Sequence, residues 1–153
     1  MSATEEKNDG GGQGVFAEEE ANRKRQKKEQ GKAQINQSVD QAKRLIINGQ
    51  IDEANRLVFE RMTGTIKNNV FVEDSIELLP AYFVLAEANI CHGGSRLKKA
   101  EEFLIAAYWN LLKFTSEENE KGGSGSDDSI VTKKEIEQYQ ACLHKTFGRL
   151  FLA

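Results

Sequence analysis

A short break between two apolar stripes is the feature that most constrains the fold of this chain. Before the break, apolar residues recur at spacings of 4, 3, 3 and 1, as on one face of a helix: Ile35, Val39, Ala42, Leu45 and Ile46. After it, a second helical face is formed by Ala54, Leu57, Val58 and Met62. Asn48-Gly49 favours a helix end, because glycine takes the left-handed conformation freely, and Asp52 is a candidate cap for the next helix. So short a turn predicts two antiparallel helices.

A second hairpin is predicted further along the chain. Asp74 or Ser75 is a candidate cap for its first helix, and Pro80 lies near the first turn, where a missing amide costs little. The buried face of this helix is predicted to contain Leu79, Tyr82, Phe83, Leu85 and Ala86. The segment His92-Gly93-Gly94-Ser95 predicts the turn. The returning helix is predicted to bury Leu97, Ala100, Phe103, Leu104, Ala107, Leu111 and Leu112. Of the aromatic residues, we expect these to pack in the core or between repeats: Tyr82, Phe83, Trp109 and Tyr139.

A fifth helix is predicted at the end of the sequence. Thr132 and Glu135 have the spacing of a capping box. The apolar stripe that follows comprises Ile136, Tyr139, Leu143, Phe147, Leu150 and Phe151. The sequence therefore predicts an all-α protein with two helical hairpins and one further helix.

Small residues recur where the helices of such hairpins would cross, and their pattern resembles the tetratricopeptide repeat (TPR). Residues 49 to 54, Gly-Gln-Ile-Asp-Glu-Ala, resemble its Gly-x-Tyr-x-Glu-Ala turn. Residues 147 to 151, Phe-Gly-Arg-Leu-Phe, match its Leu-Gly-x-x-Tyr slots. The expected signature positions are Ala42, Gly49, Ala54, Ala86, Ala100, Ala107, Phe147, Gly148 and Phe151. The resemblance implies a TPR-like α-solenoid of two hairpins plus the first helix of a third repeat, although Ala54 and Ala100 are 46 residues apart and the usual repeat is about 34.

The resemblance extends, over about residues 34 to 153, to the zinc finger MYND domain-containing family of ciliary TPR proteins. It is carried by residues 75 to 89 (Ser-Ile-Glu-Leu-Leu-Pro-Ala-Tyr-Phe-Val-Leu-Ala-Glu-Ala-Asn), Ala100-Glu-Glu-Phe-Leu, and residues 143 to 153. It implies a non-catalytic scaffold of the ciliary or flagellar axoneme, in a dynein- or spoke-associated assembly needed for motility. The implied location is the cytoskeleton, and the implied partners are axonemal proteins, other TPR proteins or tubulin. The Cys- and His-rich zinc finger of that family has no counterpart in this sequence.

The sequence leaves two alternative functions open. Long segments between repeats also resemble kinesin light chain-type arrays, which would make the chain a cytosolic adaptor that binds peptide motifs of cargo. A nuclear or RNA-associated role is the third and weakest hypothesis. Because the sequence stops within a third repeat, we expect either a piece of a longer array or a subunit that a partner completes.

Four segments are predicted along the chain. Residues 1–33 form a polar extension, either disordered or a solvated basic helix; 34–114 form the two hairpins; 115–131 form a flexible acidic Gly/Ser insertion; and 132–153 form the first helix of the incomplete third repeat. A basic run and an apolar end are the candidate partner-binding sites, comprising Arg23, Lys24, Arg25, Lys27, Lys28, Phe147, Leu150 and Phe151. Polar residues expected to face the groove of the array are Gln41, Arg44 and Asn89.

The composition gives little support to other classes of function. A net charge of -3 over 153 residues does not favour nucleic acid or a membrane as the main partner. No apolar run approaches the roughly 20 residues of a membrane span, and the N-terminus lacks the apolar core of a signal peptide. Cys91-His92 and Cys142-x-His144 lack the paired spacing of a zinc site, and no nucleophile or phosphate-loop motif is present. We therefore expect no catalytic residue, no metal and no cofactor.

Overall fold

Five α-helices make up the computed structural model, which describes residues 12–120 and 131–153. They are α1 (Gly12–Ile47), α2 (Ile51–Lys67), α3 (Leu79–His92), α4 (Leu97–Glu120) and α5 (Lys133–Leu152). Two short 3-10 turns, Ile76–Leu78 and Gly94–Arg96, precede α3 and α4. The described residues contain no strand, so the predicted all-α class is confirmed.

Each helix packs against the next one in the chain, and α3 lies at the centre of the bundle. It contacts the other four helices. Because it is surrounded, α3 has no single apolar face: it buries Leu79, Ala81, Tyr82, Phe83, Val84, Leu85, Ala86, Ala88 and Asn89. The arrangement comprises two antiparallel hairpins, α1–α2 and α3–α4, followed by α5.

Glycines in the left-handed conformation end the first helix of each hairpin, as the sequence predicts. Gly49 has φ 81°, and the amide of Gln50 donates to the carbonyl of Leu45 at 2.8 Å. Gly93 has φ 71° directly after α3. The prediction that Asp52 caps α2 is wrong, because α2 already begins at Ile51. The Asp52 carboxylate instead accepts a hydrogen bond from Arg96 at 2.6 Å, which links the two hairpin turns.

The connection from α2 to α3 is ordered by polar contacts. Asn69, with φ 53°, reverses the chain after α2. Ser75 precedes the 3-10 turn, where its hydroxyl accepts from the amide of Val72 at 2.9 Å and makes no helix-capping bond. The carbonyl of Glu73 accepts from the Tyr82 hydroxyl at 3.0 Å and from the Asn110 amide at 3.2 Å. These bonds attach the connection to both α3 and α4.

Two helices are longer than the sequence predicts. Residues 12 to 47 form one continuous helix, so no break separates the basic segment from the first packed helix. Gly31, within that helix, is buried against Val70 and Phe71. Helix α4 continues to Glu120, into the segment expected to be flexible from residue 115. Thr115 supports this extension, because its hydroxyl donates to the carbonyls of Leu111 and Leu112. The rest of that segment, residues 121–130, lies outside the described residues.

The capping box at the start of α5 is confirmed. The Thr132 hydroxyl accepts from the amide of Glu135 at 3.2 Å, and the Glu135 carboxylate accepts from the amide of Thr132 at 2.8 Å. These two bonds satisfy donors that a helix start otherwise leaves without partners.

Most, but not all, of the small residues predicted at helix crossings are buried. Five alanines are fully buried, as expected: Ala42, Ala54, Ala86, Ala100 and Ala107. Gly148 is not at a close helix crossing, because it is exposed and a Cβ built on it meets no atom within 4 Å. The closely packed helical glycine is Gly31, where a Cβ would lie 2.7 Å from Val70 Cγ1.

The prediction that Trp109 and Leu112 pack inside is also wrong. Their side chains are 61% and 40% exposed, respectively. The buried face of α4 is set by Ala107 and Leu111. Trp109 lies two residues from each of them, a rotation of about 200° around a helix, so it points to the opposite side.

Candidate functional site

A groove bounded by α1, α3 and α5 is the best candidate for a binding site. Its volume is about 450 Å³. The residues that line it are Val39, Lys43, Ile46, Ile47, Pro80, Phe83, Val84, Glu87, Gln138, Tyr139, Cys142 and Lys145. All three helices contribute side chains, so the groove exists only when they are packed side by side.

The floor of the groove is apolar. Phe83 and Val84 of α3 are buried, and Val39 of α1 is buried beside them. The ring of Tyr139 packs against Phe83, with the ring centroids 6.2 Å apart. Burial, with the nearby charges of Glu135 and Glu77, raises the pKa of the Tyr139 hydroxyl well above its ordinary value. Tyr139 is therefore a neutral, half-buried wall of the groove.

The charged residues of the groove are predominantly basic. Lys43 of α1 and Lys145 of α5 are exposed on opposite walls. Between them lies the half-buried Glu87 of α3, whose carboxylate accepts a hydrogen bond from Arg149 of α5. That hydrogen bond raises the pKa of the Arg149 guanidinium. Because Arg149 neutralises Glu87, Lys43 and Lys145 give the groove a surplus of positive charge.

A salt bridge between α1 and α5 fixes the outer walls relative to one another. Lys32 donates to both carboxylate oxygens of Glu135, at 2.8 and 3.0 Å, and both side chains are mostly covered. Partial burial by itself raises the pKa of the Glu135 carboxyl. The hydrogen bonds from Lys32 and Thr132 have the larger combined effect, so the pKa is lowered overall. A charged pair screened from water in this way holds its geometry better than an exposed one.

Glu77 is a buried carboxyl next to this salt bridge. Glu77 lies in the 3-10 turn before α3 and is only 7% exposed. Burial raises the pKa of Glu77 above its usual value, against the opposing influence of its backbone hydrogen bond and of the charges on Lys28 and Lys32. Burying this charge reduces stability at neutral pH, in contrast to Glu135.

The predicted basic site lies outside the groove, and its charges have local partners. Arg23, Lys24 and Arg25 form pairs with glutamates one turn away along α1, at 4.0, 3.3 and 3.3 Å. Lys27 donates to the carbonyl of Asn68 at 3.1 Å, and Lys28 is half-buried. The Lys27 bond reaches the segment that follows α2, so this run anchors α1 as well as presenting charge.

The predicted apolar site at the end of α5 also lies outside the groove. Phe147 and Leu150 are half-buried against the core, whereas Phe151 is 80% exposed. The rings of Phe147 and Phe151 stack with centroids 6.2 Å apart.

The sequence predicts Val39, Ile46, Phe83 and Tyr139 as packing residues, but it does not predict that they line a groove with Lys43, Glu87 and Lys145. Gln41 and Arg44 are exposed but do not line it, and Asn89 is buried, donating to the carbonyl of Leu85 at 2.6 Å and to the side chain of Asn55 at 3.2 Å. One signal was present in the sequence: Lys43 and Ile47 follow Val39 at intervals of four, next to the buried stripe.

Other classes of site are not evident in residues 12–120 and 131–153. That part of the chain holds no group of three or more His, Cys, Asp and Glu side chains placed to bind a metal ion. None of its helices has the length and apolar character needed to cross a membrane.

No protein-family model matches the sequence, and no solved structure matches the fold.

Proposed function

We propose that this chain is a non-catalytic TPR-like scaffold that binds a segment of a partner protein in the groove between α1, α3 and α5. The observation that carries this proposal is the groove itself, an apolar floor between two basic walls. A concave apolar surface with a few charged side chains along its walls suits the recognition of a peptide segment.

The helix arrangement supports a solenoid of the TPR kind. In such an array the first helices of successive hairpins line one surface and the second helices lie behind them. Here α1, α3 and α5 are the first helices, and they line the groove, whereas α2 and α4 contribute no residue to it. The buried alanines at the hairpin crossings allow the close approach that this packing requires.

The partner segment is defined by the chemistry of the groove. An apolar side chain would occupy the floor formed by Val39, Phe83 and Val84, beside the ring of Tyr139. Acidic groups on either side of it would meet Lys43 and Lys145, which have opposite positions across the groove. The proposed ligand is therefore an acidic segment with at least one large apolar residue.

The axoneme is the proposed location of this scaffold, within a dynein- or spoke-associated assembly needed for motility. Support for this comes from the sequence resemblance to ciliary TPR proteins described above. The groove is equally suited to a cytosolic adaptor that carries cargo motifs, which is the alternative function.

A rebinding experiment tests the proposal. The purified chain is added to detergent-extracted axonemes from which salt has removed peripheral proteins, and the bound fraction is measured by sedimentation. We expect binding by the natural chain and loss of binding by the double variant Lys43→Glu/Lys145→Glu. The control is Lys67→Glu/Lys134→Glu, which makes the same charge change at exposed lysines outside the groove.

Each outcome has a distinct meaning. Equal binding by the two double variants would show that the groove is not the contact surface. Failure of the natural chain to bind axonemes would remove the axonemal assignment, and recovery with soluble cargo complexes would favour the adaptor. Binding to purified microtubules alone would identify tubulin as the partner.

A further inference from the structure

Helix α4 carries a second apolar stripe on the side opposite its buried face. Ile105, Tyr108, Trp109 and Leu112 are 43%, 45%, 61% and 40% exposed. Their spacing of 3, 1 and 3 places them on one surface of two helical turns. The rings of Tyr108 and Trp109 meet edge to face, with centroids 5.8 Å apart. We call this surface the α4 stripe.

The α4 stripe has the symmetry that a two-fold contact requires. Read from either end, it has an aliphatic residue, two adjacent aromatic residues and an aliphatic residue at the same spacing. When two copies of α4 pack antiparallel, Ile105 of one copy meets Leu112 of the other, and Tyr108 meets Trp109. A two-fold interface needs a surface complementary to itself, and this stripe meets that condition.

The charges beyond the stripe are also complementary under the same symmetry. Lys98 lies seven residues before Ile105, and Glu120 lies eight residues after Leu112. Both are exposed, and neither forms an ion pair with another described residue. On a helix both lie within about 20° of Trp109, so an antiparallel pair brings each Lys98 towards the Glu120 of the second copy. Glu101 is placed opposite Ser116, so no like charges meet along the stripe.

We propose that a second copy of this chain docks on the α4 stripe, forming an antiparallel homodimer through α4. The stripe is two turns long, which makes the interface small and the association weak, with a dissociation constant on the order of micromolar. Helix α4 contributes no residue to the groove. The dimer therefore presents two grooves, and two weak partner contacts act together when both are occupied.

Trp109 is the only tryptophan of the chain, so its fluorescence reports directly on the stripe. The full chain is studied by sedimentation velocity across the micromolar range, with emission and acrylamide quenching of Trp109 measured on the same samples. We expect a monomer–dimer equilibrium, with emission moving to shorter wavelength and quenching falling as the dimer forms. A chain that stays monomeric, or dimerises while Trp109 emission is unchanged, would overturn the proposal.

Matched substitutions separate this stripe from general surface apolarity. Ile105→Ser should weaken dimerisation by about tenfold or more, since it removes two symmetric contacts. Phe59→Ser is the control, because Phe59 is 50% exposed on α2, away from the stripe. Equal weakening by both variants contradicts the proposed interface. Helical content and melting temperature of each variant confirm that the monomer remains folded.

A charge exchange tests the antiparallel arrangement itself. Lys98→Glu should weaken the dimer several-fold, because two attractive contacts become repulsive. Adding Glu120→Lys to this variant should restore the affinity. If the double variant binds no better than Lys98→Glu alone, the helices do not pack antiparallel as proposed.

Discussion

Replacing Gly31 by alanine tests the contact that positions α1 on the body of the protein. A Cβ at this position would lie 2.7 Å from Val70 Cγ1 and 3.1 Å from Phe71 Cε2. Carbon atoms in ordinary contact are about 3.5–4.0 Å apart, so Val70 or Phe71 has to move. The contact matters for the site, because α1 carries Val39 on the floor of the groove and Lys43 on its wall.

The expected magnitude follows from two opposing effects. Alanine is favoured over glycine in a helix interior by about 1 kcal/mol. Overpacking a buried site costs about 1–3 kcal/mol. We therefore expect Gly31→Ala to lower the free energy of unfolding by up to about 2 kcal/mol, or at best to leave it unchanged.

The matched control is Gly64→Ala in α2. A Cβ on Gly64 meets no atom within 4 Å, so only the gain in helix propensity of about 1 kcal/mol applies. Both substitutions add one methyl group to a helix interior. The difference between the two variants, about 1–3 kcal/mol, therefore isolates the crowding at Gly31.

Urea denaturation followed by far-UV circular dichroism measures these free energies. A second substitution, Val70→Ala, removes the methyl group that the new Cβ meets. It should recover at least about 1 kcal/mol of the loss in the Gly31→Ala background, as a coupling between contacting residues. If Gly31→Ala stabilises the protein as much as Gly64→Ala does, the close packing of α1 on Val70 is refuted.

Three further predictions concern stability. Thr132→Ala removes the hydroxyl of the capping box and should lower the free energy of unfolding, measured in urea, by about 1 kcal/mol. The control Thr63→Ala should change it little, because the Thr63 hydroxyl is exposed and bonds only to carbonyls of its own helix. Leu104→Ala should lower the free energy of unfolding by about 2–5 kcal/mol, because Leu104 is fully buried. Ile105→Ala, at the exposed neighbouring residue, should lower it far less. Similar losses in the two variants would contradict the assigned faces of α4. Burial raises the pKa of Glu77 above 4.5, so the stability that Glu77 contributes is fully present below pH 4.5 and is lost as the pH rises through its native-state pKa. Glu77→Gln should therefore become more stable relative to the natural chain between acidic and neutral pH, and a difference independent of pH would show that Glu77 is not buried as a charge.

The proposed groove illustrates why a site can escape sequence analysis when its helices do not. Each helix contributes an ordinary pattern, such as Val39, Lys43 and Ile47 along α1. That spacing by itself does not distinguish a groove wall from the solvated edge of an amphipathic helix. The Lys32–Glu135 salt bridge, which spans 103 residues of sequence, joins α1 to α5, the two helices that form the outer walls of the groove. The candidate residues selected from charge and apolarity alone, such as Arg23 and Phe151, lie elsewhere.

The sequence by itself determined that there are five helices in the described residues, where they turn, and most residues of their buried stripes. These features are local: Gly49 and Gly93 reverse the chain because of their own backbone freedom, and Thr132 caps α5 through an amide three residues away. Only the tertiary structure decided which helical glycine meets another segment closely, which is Gly31 and not Gly148. It also decided that Trp109 lies outside, because α3 and α5 cover only the opposite face of α4. An apolar stripe in the sequence shows which face of a helix can be buried. It does not show which other helix covers that face, because this depends on how all the helices pack.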